Sequence, residues 1–292
     1  MEAQVLGKYR IAVLLASYNR REKTLAFLAS LFSQRNFDVS DIDIYLLDDA
    51  SSDGTATAVA GSYPNVKVIT GTGKLFWAGG MRTVWDHARS QGQYDLFLLF
   101  NDDVELVEDA VQRIISCYDV VKNAGSVIVG STRSRVTGKL TYGGHTLNKK
   151  GHAAYNLITP DDKEPLPCHL VNGNVLLVDA SAVEKIGILS DKYTHYLADF
   201  DYSMNAYTAG LGVFVAPGYY GYCEDDHGNS WLSASYSIKD RIKYLYNVKG
   251  LAYHEYLYYI KKHFPASYAG AVFKLWLKTL FPVIWDRFKQ RG

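Results

Sequence analysis

Short apolar runs alternate with helical segments through the first hundred residues, and three of these runs end in polar or acidic residues. The runs at 9–16, 42–47 and 96–100 are nearly continuous in apolar side chains, a pattern typical of parallel strands buried on both faces. Between the first two runs, 22–32 repeats apolar residues at helical spacing, which predicts a βαβ unit. We therefore expect an α/β fold with a nucleotide-sized crevice at the carboxyl ends of the strands.

Further elements are predicted from periodicity and from glycine positions. The pattern predicts helices over 55–60, 81–88, 180–186 and 199–209, strands over 66–69, 126–130 and 168–179, the last with Gly173 inside it, and a hairpin over 137–155. No internal repeat or low-complexity linker divides residues 1–236, so we expect them to form one domain.

Composition narrows the class of protein. Of the 292 residues, 48% are apolar and 21% charged, so the chain can bury a sizeable core and is not disordered. The net charge of +1 argues against a nucleic-acid partner. From Ser237 onward, however, 11 Lys or Arg oppose three acidic residues, a net +8, which leaves −7 for residues 1–236. Residues 237–292 therefore form a basic C-terminal extension, and it also holds 13 of the 40 aromatic residues.

Cysteine usage and hydropathy bear on the compartment. Cys117, Cys168 and Cys223 lack the spacing of a disulfide framework or a zinc knuckle, as expected in a reducing cytoplasm. The first residues lack the pattern of a signal peptide, and no stretch reaches the roughly 18 apolar residues that span a bilayer. We therefore expect a cytoplasmic protein whose membrane contact would be peripheral, on the inner face of the cytoplasmic membrane.

An acidic cluster follows the apolar run at 96–100. Asn101, Asp102 and Asp103 offer hard oxygen ligands of the kind that suit Mg²⁺ or Mn²⁺ bridging a diphosphate. A turn or a helix cap after a strand would use the same residue types, so both interpretations stand at this point.

A second acidic pair precedes the helix predicted at 199–209. Asp199 and Asp201 are two positions apart, so on helical backbone they point in different directions and have different roles. One could act as a general base toward a substrate hydroxyl, and the other could cap the helix or fix neighbouring groups. His227 lies in a polar loop, where it could ligate a metal or be simply exposed to solvent.

In order along the chain, these segments resemble the family 2 glycosyltransferases with a GT-A fold, over residues 11–230. In that family the first strand ends in a segment like Ala16-Ser17-Tyr18-Asn19-Arg20 and the next in one like 48–55, DDASSDGT here. Because these loops hold the nucleotide in the family, the resemblance implies that Asp49 contacts the nucleobase. It also implies contacts with the nucleotide of the sugar donor for Ala16, Ser17, Tyr18, Asn19 and Arg20. A uracil or thymine base would fit this pattern.

The segment 73–82, GKLFWAGGMR, is similar to the glycine-rich stretch that precedes the metal strand in the family. The resemblance implies nucleotide-binding roles for Lys74, Trp77, Gly79, Gly80 and Arg82, with the glycines letting backbone approach the donor. The tryptophan and methionine at 77 and 81 resemble a subgroup linked to bacterial surface polysaccharides. Asn101-Asp102-Asp103 resembles the metal motif, which implies a metal role for Asp103, a ribose or metal role for Asp102 and a nucleotide contact for Asn101.

Two later segments complete the resemblance. Residues 171–174 are similar to the acceptor-side strand and turn, and 197–201 to the Glu-Asp-x-Asp motif with Ala198 in place of the glutamate. The base role thus falls on Asp199, and acceptor-side roles fall on Asn172, Gly173, Asn174 and Asp201. Asp226 to Ser230 resembles the late histidine motif, which implies that His227 contacts the metal or the diphosphate.

The resemblance implies an α/β GT-A fold, a mixed sheet flanked by helices, with a nucleotide-binding half at about 1–125, an acceptor half at about 126–236 and a helical extension at 237–292. The expected enzyme is an inverting hexosyl- or deoxyhexosyltransferase that depends on Mg²⁺ or Mn²⁺. It would move a sugar from a UDP- or dTDP-sugar to a glycan or lipid-linked acceptor in bacterial surface polysaccharide synthesis. A noncatalytic nucleotide-sugar or glycan-binding module is the alternative; a nucleotidyltransferase is disfavoured because no GxGxR-like loop follows the first strand.

The end of the chain allows two interpretations. Residues 264–291 place a stripe along one helical face, with Pro282 interrupting the helix; the stripe consists of Phe273, Trp276, Leu277, Leu280, Ile284 and Phe288. Because Lys274 and Lys278 lie off the stripe, it would suit an interfacial helix on an anionic membrane surface. Packing against the catalytic domain would explain the same stripe.

Overall fold

A computed structural model describes residues 8–35, 42–122, 125–225 and 231–289, with side chains to residue 286. Its strands are β1 Ile11–Ser17, β2 Ile42–Asp48, β3 Val66–Thr70, β4 Leu96–Asn101, β5 Glu105–Leu106, β6 Ser126–Arg133, β7 Leu140–Tyr142, β8 Gly144–Leu147, β9 Tyr155–Leu157, β10 Leu166–Pro167, β11 Leu170–Val171, β12 Val175–Asp179 and β13 Gly212–Tyr222. Its helices are α1 Arg21–Phe32, α2 Thr55–Ser62, α3 Phe76–Gln91, α4 Ala110–Val121, α5 Ala180–Ile186, α6 Ala198–Thr208, α7 Ile238–Tyr246, α8 Tyr253–His263, α9 Tyr268–Leu280 and α10 Val283–Lys289. None of these helices is long and apolar enough to cross a membrane.

The main sheet runs in the order β10-β13-β6-β12-β4-β1-β2-β3, with β5 and β7 paired off this path. Strands β4, β1, β2 and β3 are parallel, whereas β12 is antiparallel to both β4 and β6. Ser17 lies beside Asp48, and Ala16 beside Asn101, so the segments after β1, β2 and β4 meet at one edge of the sheet. The predicted mixed α/β sheet flanked by helices is confirmed.

Helices cover both faces of the sheet. Because successive side chains of a strand point to opposite faces, β1 contributes to the core on each side. Ile11, Val13 and Leu15 join the core beneath α1 and α4, and Ala12 and Leu14 join the core beneath α3 and α6. Five consecutive buried apolar residues thus make β1 a fully internal strand, as the continuous apolar run predicts.

Helix α3 begins at Phe76, five residues before the predicted start at 81, so Gly79 and Gly80 are helical. The nucleotide-binding role of these glycines stays a prediction, and packing gives a structural reason for glycine at position 80. A Cβ on Gly80 would lie 3.0 Å from Ala16 Cβ and 3.1 Å from Leu47 Cδ2. Gly80 therefore allows α3 to approach β1 and β2 closely.

The strand predicted over 168–179 is divided into β11 and β12 by a turn that contains Gly173. Strand β13, the longest strand of the sheet, is not predicted by the sequence pattern because Pro217 and Gly218 interrupt its alternation. Its pairing with β6 shifts register between Val215 and Tyr219, which is how the strand accommodates these residues.

The C-terminal extension is helical, as predicted, and its buried residues belong to the core beneath α3 and α6. Leu245, Leu257 and Ile260 share this core with strand residues of β1 and β4. Helix α9 ends before Pro282, as predicted, but it buries Ala271, Leu275 and Thr279 rather than the predicted stripe. Phe273 and Leu280 of that stripe are exposed, and Trp276 and Leu277 are half-buried.

If the extension and the sheet share one core, Ile260→Ala will lower the free energy of unfolding of the whole protein by about 2–5 kcal/mol, because the fully buried side chain leaves a cavity. Urea unfolding followed by both tryptophan fluorescence and circular dichroism will show one transition at lower urea. Ile242→Ala is the control, since Ile242 is exposed. A separate early transition would show that the extension folds independently.

Candidate active site

The segments that follow β1 and β2 are tied together where they meet. The side chain of Asn19 accepts a hydrogen bond from the Ser52 backbone N–H (2.8 Å), and the Asn19 backbone N–H donates to Ser51 Oγ (2.8 Å). Asn19 and Ala50 both adopt left-handed backbone conformations, with φ of 51° and 57°. Such conformations are costly for residues other than glycine and concentrate at functional sites. These hydrogen bonds hold the two loops together at the edge of the sheet.

Asp49 shapes the adjoining loop. Its buried carboxylate accepts hydrogen bonds from the backbone N–H groups of Thr72 (3.0 Å), Gly73 (2.7 Å), Leu75 (2.8 Å) and Phe76 (3.3 Å). Hydrogen bonds to a charged acceptor are the strong ones, so this carboxylate fixes the path into α3. The structure thus gives Asp49 a loop-ordering role that sequence reasoning missed; its contact with a nucleotide base stays a prediction.

The acidic pair lies directly after β4 and is balanced by cations from α1 and its approach. Arg20 Nη1 lies 2.6 Å from Asp103 Oδ2 and 3.2 Å from Asp102 Oδ1, and Lys23 Nζ lies 3.7 Å from Asp103 Oδ2. Burial raises the pKa of Asp102, although the Arg20 guanidinium opposes this effect. Asp102 also accepts a hydrogen bond from Thr24 Oγ1 (3.2 Å). The more exposed carboxylate, Asp103, is therefore the one better placed to meet a ligand.

The carboxylates of Asp102 and Asp103 suit a divalent cation. Two adjacent carboxylates at a strand end supply the hard oxygen ligands that Mg²⁺ and Mn²⁺ prefer. No group of three or more His, Cys, Asp or Glu side chains that could hold a metal occurs within the described ranges, so further ligands would have to come from a bound diphosphate or from elsewhere in the chain. His227, the predicted third ligand, lies outside the described residues.

Trp77 bridges the end of β4 and the turn between β11 and β12. Its indole Nε1 donates a hydrogen bond to Asn101 Oδ1 (2.7 Å) at the end of β4. On the other side the ring lies against Gly173, where a Cβ would come within 2.6 Å of Trp77 Cζ2. The Gly173 backbone N–H in turn donates to Asp199 Oδ2 (2.9 Å). A continuous set of contacts therefore joins the metal-motif asparagine to the predicted base.

Asp199 is half-buried in the first turn of α6. Its Oδ1 accepts a hydrogen bond from the Phe200 backbone N–H (2.9 Å), while Oδ2 accepts the bond from Gly173. Leu197, which precedes the helix, has a left-handed φ of 68° that sets the direction of the first turn.

The other predicted acceptor-side residues have varied settings. Asn172 accepts a hydrogen bond from the Gly143 backbone N–H (3.2 Å), and Asn174 is buried with its amide 3.6 Å from Cys223 Sγ. The Asp201 side chain is fully buried and bonds to residues of the C-terminal extension rather than facing the crevice. As the two-residue spacing predicts, Asp199 and Asp201 point in different directions.

The remaining predicted donor residues divide in the same way. Tyr18 and Lys74 are exposed at the crevice edge, whereas Ser17 is buried and its hydroxyl lies 2.8 Å from Thr24 Oγ1. Arg82 is occupied elsewhere: its Nη1 donates to the carbonyl oxygens of Ser190 and Tyr193, both at 2.8 Å. This side chain holds the loop that leads to Asp199, a role that its sequence motif does not indicate.

Gly173→Ala will lower the free energy of unfolding by about 1–3 kcal/mol, because the added methyl group must displace the Trp77 ring. Urea unfolding measures the loss. Gly61→Ala is the matched control: the site is helical and open, so the free energy of unfolding should be unchanged or up to about 1 kcal/mol higher. A Gly173→Ala variant as stable as the parent protein would contradict the close packing.

The chain was compared with known proteins. The family model described as Glycosyl transferase family 2 matches residues 12–185. S. aureus TarS, residues 1–349 in complex with UDP-GlcNAc, superposes with a TM-score of 0.52 at 17% identity, over 82% of this chain and 65% of that one. The full S. aureus TarS structure gives 0.54 at 17% identity, over 73% and 36%.

The mannosyltransferase PcManGT from Pyrobaculum calidifontis, in complex with GDP-Man and Mn2+, gives a TM-score of 0.49 at 14% identity, over 72% of this chain and 55% of that one. This chain covers less than two thirds of the length of each of these structures. No curated protein sequence matches it.

Proposed function

Because the chain belongs to glycosyl transferase family 2, we propose that it is an inverting, metal-dependent glycosyltransferase that uses a UDP- or dTDP-sugar. One observation carries this proposal. The contacts from Asn101 through Trp77 and Gly173 to Asp199 link the acidic end of β4 to a half-buried carboxylate. Sugar transfer requires these two groups: one to hold the donor diphosphate and one to deprotonate the acceptor.

Asp199 acts as the general base. As the acceptor hydroxyl oxygen forms its bond to the anomeric carbon, the hydroxyl proton passes to Asp199. The bond between the anomeric carbon and the diphosphate oxygen breaks on the opposite face of the sugar, and its electron pair leaves with the diphosphate. The configuration at the anomeric carbon is inverted, and no covalent sugar–enzyme bond is needed.

Asp103, with Asp102 and His227, would hold the Mg²⁺ or Mn²⁺ ion on the donor side. Bound there, a divalent cation supplies Lewis-acid stabilisation of the negative charge on the leaving diphosphate. Arg20 and Lys23 lie against the same carboxylates and add positive charge beside the diphosphate. The loops that carry Tyr18 and Asn19 bind the base and ribose.

The proposed acceptor is a hydroxyl of a glycan or of a lipid-linked saccharide in bacterial surface polysaccharide synthesis. This part of the proposal depends on the resemblance of the segment around Trp77 and Met81 to that subgroup. A noncatalytic nucleotide-sugar-binding module is the competing function, and retention of both Asp103 and Asp199 argues against it.

A thermal-shift panel of UDP, dTDP, GDP, CMP and ADP, each with and without Mn²⁺, tests the donor site. We expect UDP or dTDP to raise the melting temperature, and Mn²⁺ to increase that shift, because a ligand that binds only the folded state stabilises it. Asp103→Asn should abolish the Mn²⁺-dependent part of the shift. If no nucleotide changes the melting temperature of folded protein, the donor site is refuted.

Asp199→Asn will lower kcat by about 100- to 10,000-fold, because the amide cannot take the acceptor proton. Affinity for the nucleotide identified in the panel will not change. Nucleotide release from the matching nucleotide sugar measures turnover, and Asp191→Asn, on an exposed site of the preceding loop, is the control. A parent protein that binds the nucleotide sugar without turnover, unaffected by the substitution, would be a binding module.

We further propose that the last two helices contact an anionic membrane surface, where a lipid-linked acceptor would lie. Large apolar side chains are exposed there beside an exposed lysine, Lys274; they are Phe273 (67%), Leu280 (44%), Phe281 (55%), Val283 (47%) and Ile284 (41%). Apolar side chains flanked by cations match an interface of acyl chains and anionic headgroups.

The membrane contact is tested by flotation with vesicles of phosphatidylcholine alone or mixed with phosphatidylglycerol. The parent protein should float with the anionic vesicles, less so at high salt. A variant with Ser at Phe273, Leu280 and Phe281 should not float. The control variant carries Val120→Ser and Val136→Ser, at two exposed positions far from the extension in sequence. It shows whether a general loss of exposed apolar surface is enough to prevent flotation. Equal flotation of the two variants would exclude these helices as the contact.

A further inference from the structure

A buried carboxylate ties the C-terminal extension to helix α6. The Asp201 side chain is fully buried, and Lys262 Nζ donates to both of its oxygens at 2.8 and 3.0 Å. His263 Nε2 lies 2.7 Å from Oδ1, and the Tyr193 hydroxyl donates to the same oxygen (2.9 Å). Asn205, one helical turn along α6, donates to Oδ2 (3.0 Å). Four side chains therefore satisfy this one carboxylate.

Burying a carboxylate without partners is costly, so this arrangement requires the extension. Burial alone would raise the pKa of Asp201, but hydrogen bonds from His263 and Lys262 and the charge of Lys262 hold it below its ordinary value. Both of these partners lie at the end of α8, more than 60 positions along the chain from Asp201. Their removal would leave an uncompensated charge inside the protein.

The tie acts close to Asp199. Asp201 and Asp199 share the first turn of α6, where the Asp201 backbone N–H donates to the Leu197 carbonyl (2.8 Å). The turn is thus held on one side by Asp201 and the extension, and on the other by Asp199 and Gly173. A shift of this turn would move the Asp199 carboxylate relative to the donor.

The loop before α6 is held by helices α8 and α3. Glu255 of α8 accepts a hydrogen bond from the Thr194 backbone N–H (3.1 Å), and Ala78 of α3 donates its N–H to the Thr194 carbonyl (3.2 Å). Helix α8 therefore contacts residues on both sides of Asp199 in the sequence: Thr194 before it and Asp201 after it.

We propose that Lys262 and His263 of the C-terminal extension are positioning residues that set the catalytic base through Asp201. The extension would then contribute to the position of the catalytic base, in addition to packing on the sheet or contacting a membrane. This inference rests on the proposed role of Asp199 as the base.

Lys262→Met tests the tie, because it keeps an apolar stem on a side chain that is about one third exposed and removes the ammonium. We expect kcat to fall about 100-fold, the scale of a small misplacement of a catalytic group, with nucleotide affinity unchanged. Lys262→Arg should restore most of the activity, since it restores the charge. Lys261→Met, one position away and exposed, is the matched control.

Hydrogen exchange of the full chain gives a readout that needs no turnover. In Lys262→Met and in His263→Leu, the amides of residues 198–202 should exchange faster than in the parent protein, whereas the Lys261→Met control should leave them unchanged. His263→Gln, which keeps a donor, should lie closer to the parent. If Lys262→Met folds with parental kcat and parental exchange of α6, the positioning role is wrong.

Two other outcomes are distinct. A variant whose nucleotide affinity falls in parallel with kcat would show a general structural effect and would also overturn the inference. A parent protein without transferase activity would refute the proposed function, and the exchange data would still report whether the extension holds α6.

Discussion

The parallel pairing of β1 with β2 on one side and β4 on the other is the constraint on which the site depends. This register brings the segments that follow the three strands to one edge of the sheet, where Asn19, Asp49 and Asp103 carry the polar groups. A slip of one residue in β1 would exchange the side chains of its two faces and disrupt the packing of both cores. Five consecutive buried residues in β1 make such a slip costly, and the geometry of the crevice therefore rests on hydrophobic burial.

Local patterns predicted this edge well and distant contacts poorly. The bounds of β1, α1 and β2 follow the apolar periodicity to within a few residues, because burial on one or both faces is written in neighbouring positions. The start of α3 could not be predicted in the same way, since glycines chosen for helix–sheet contact look like loop glycines. Strand β13 was missed because Pro217 and Gly218 break its alternation.

For the site, the sequence singles out acidic residues but does not indicate the groups that each of them contacts within the protein. The resemblance implies nucleotide contacts for Asp49 and Arg82 and an acceptor-side role for Asp201, and these roles stay predictions. The structure adds contacts that the sequence does not indicate: with backbone amides, with carbonyl oxygens and with the extension, respectively. Nothing in a single sequence pairs Asp201 with Lys262, because their contact depends on the fold of residues 202–261 between them. The charge difference between the two parts of the chain, −7 against +8, now has one specific use: a buried anion of the first part is neutralised by a cation of the second.

The shared core and the Asp201 tie also bear on how proteins of this kind can be recombined. A chimera with a different C-terminal extension would keep the Asp201 carboxylate paired only if the new segment supplied a cation and a hydrogen-bond donor to it. The extension and the residue at position 201 therefore have to be exchanged together in a chimera, since exchange of one without the other would leave an unmatched charge inside the protein. The boundary for such an exchange therefore lies upstream of Asp201 in α6, and not at the change in composition at residue 237.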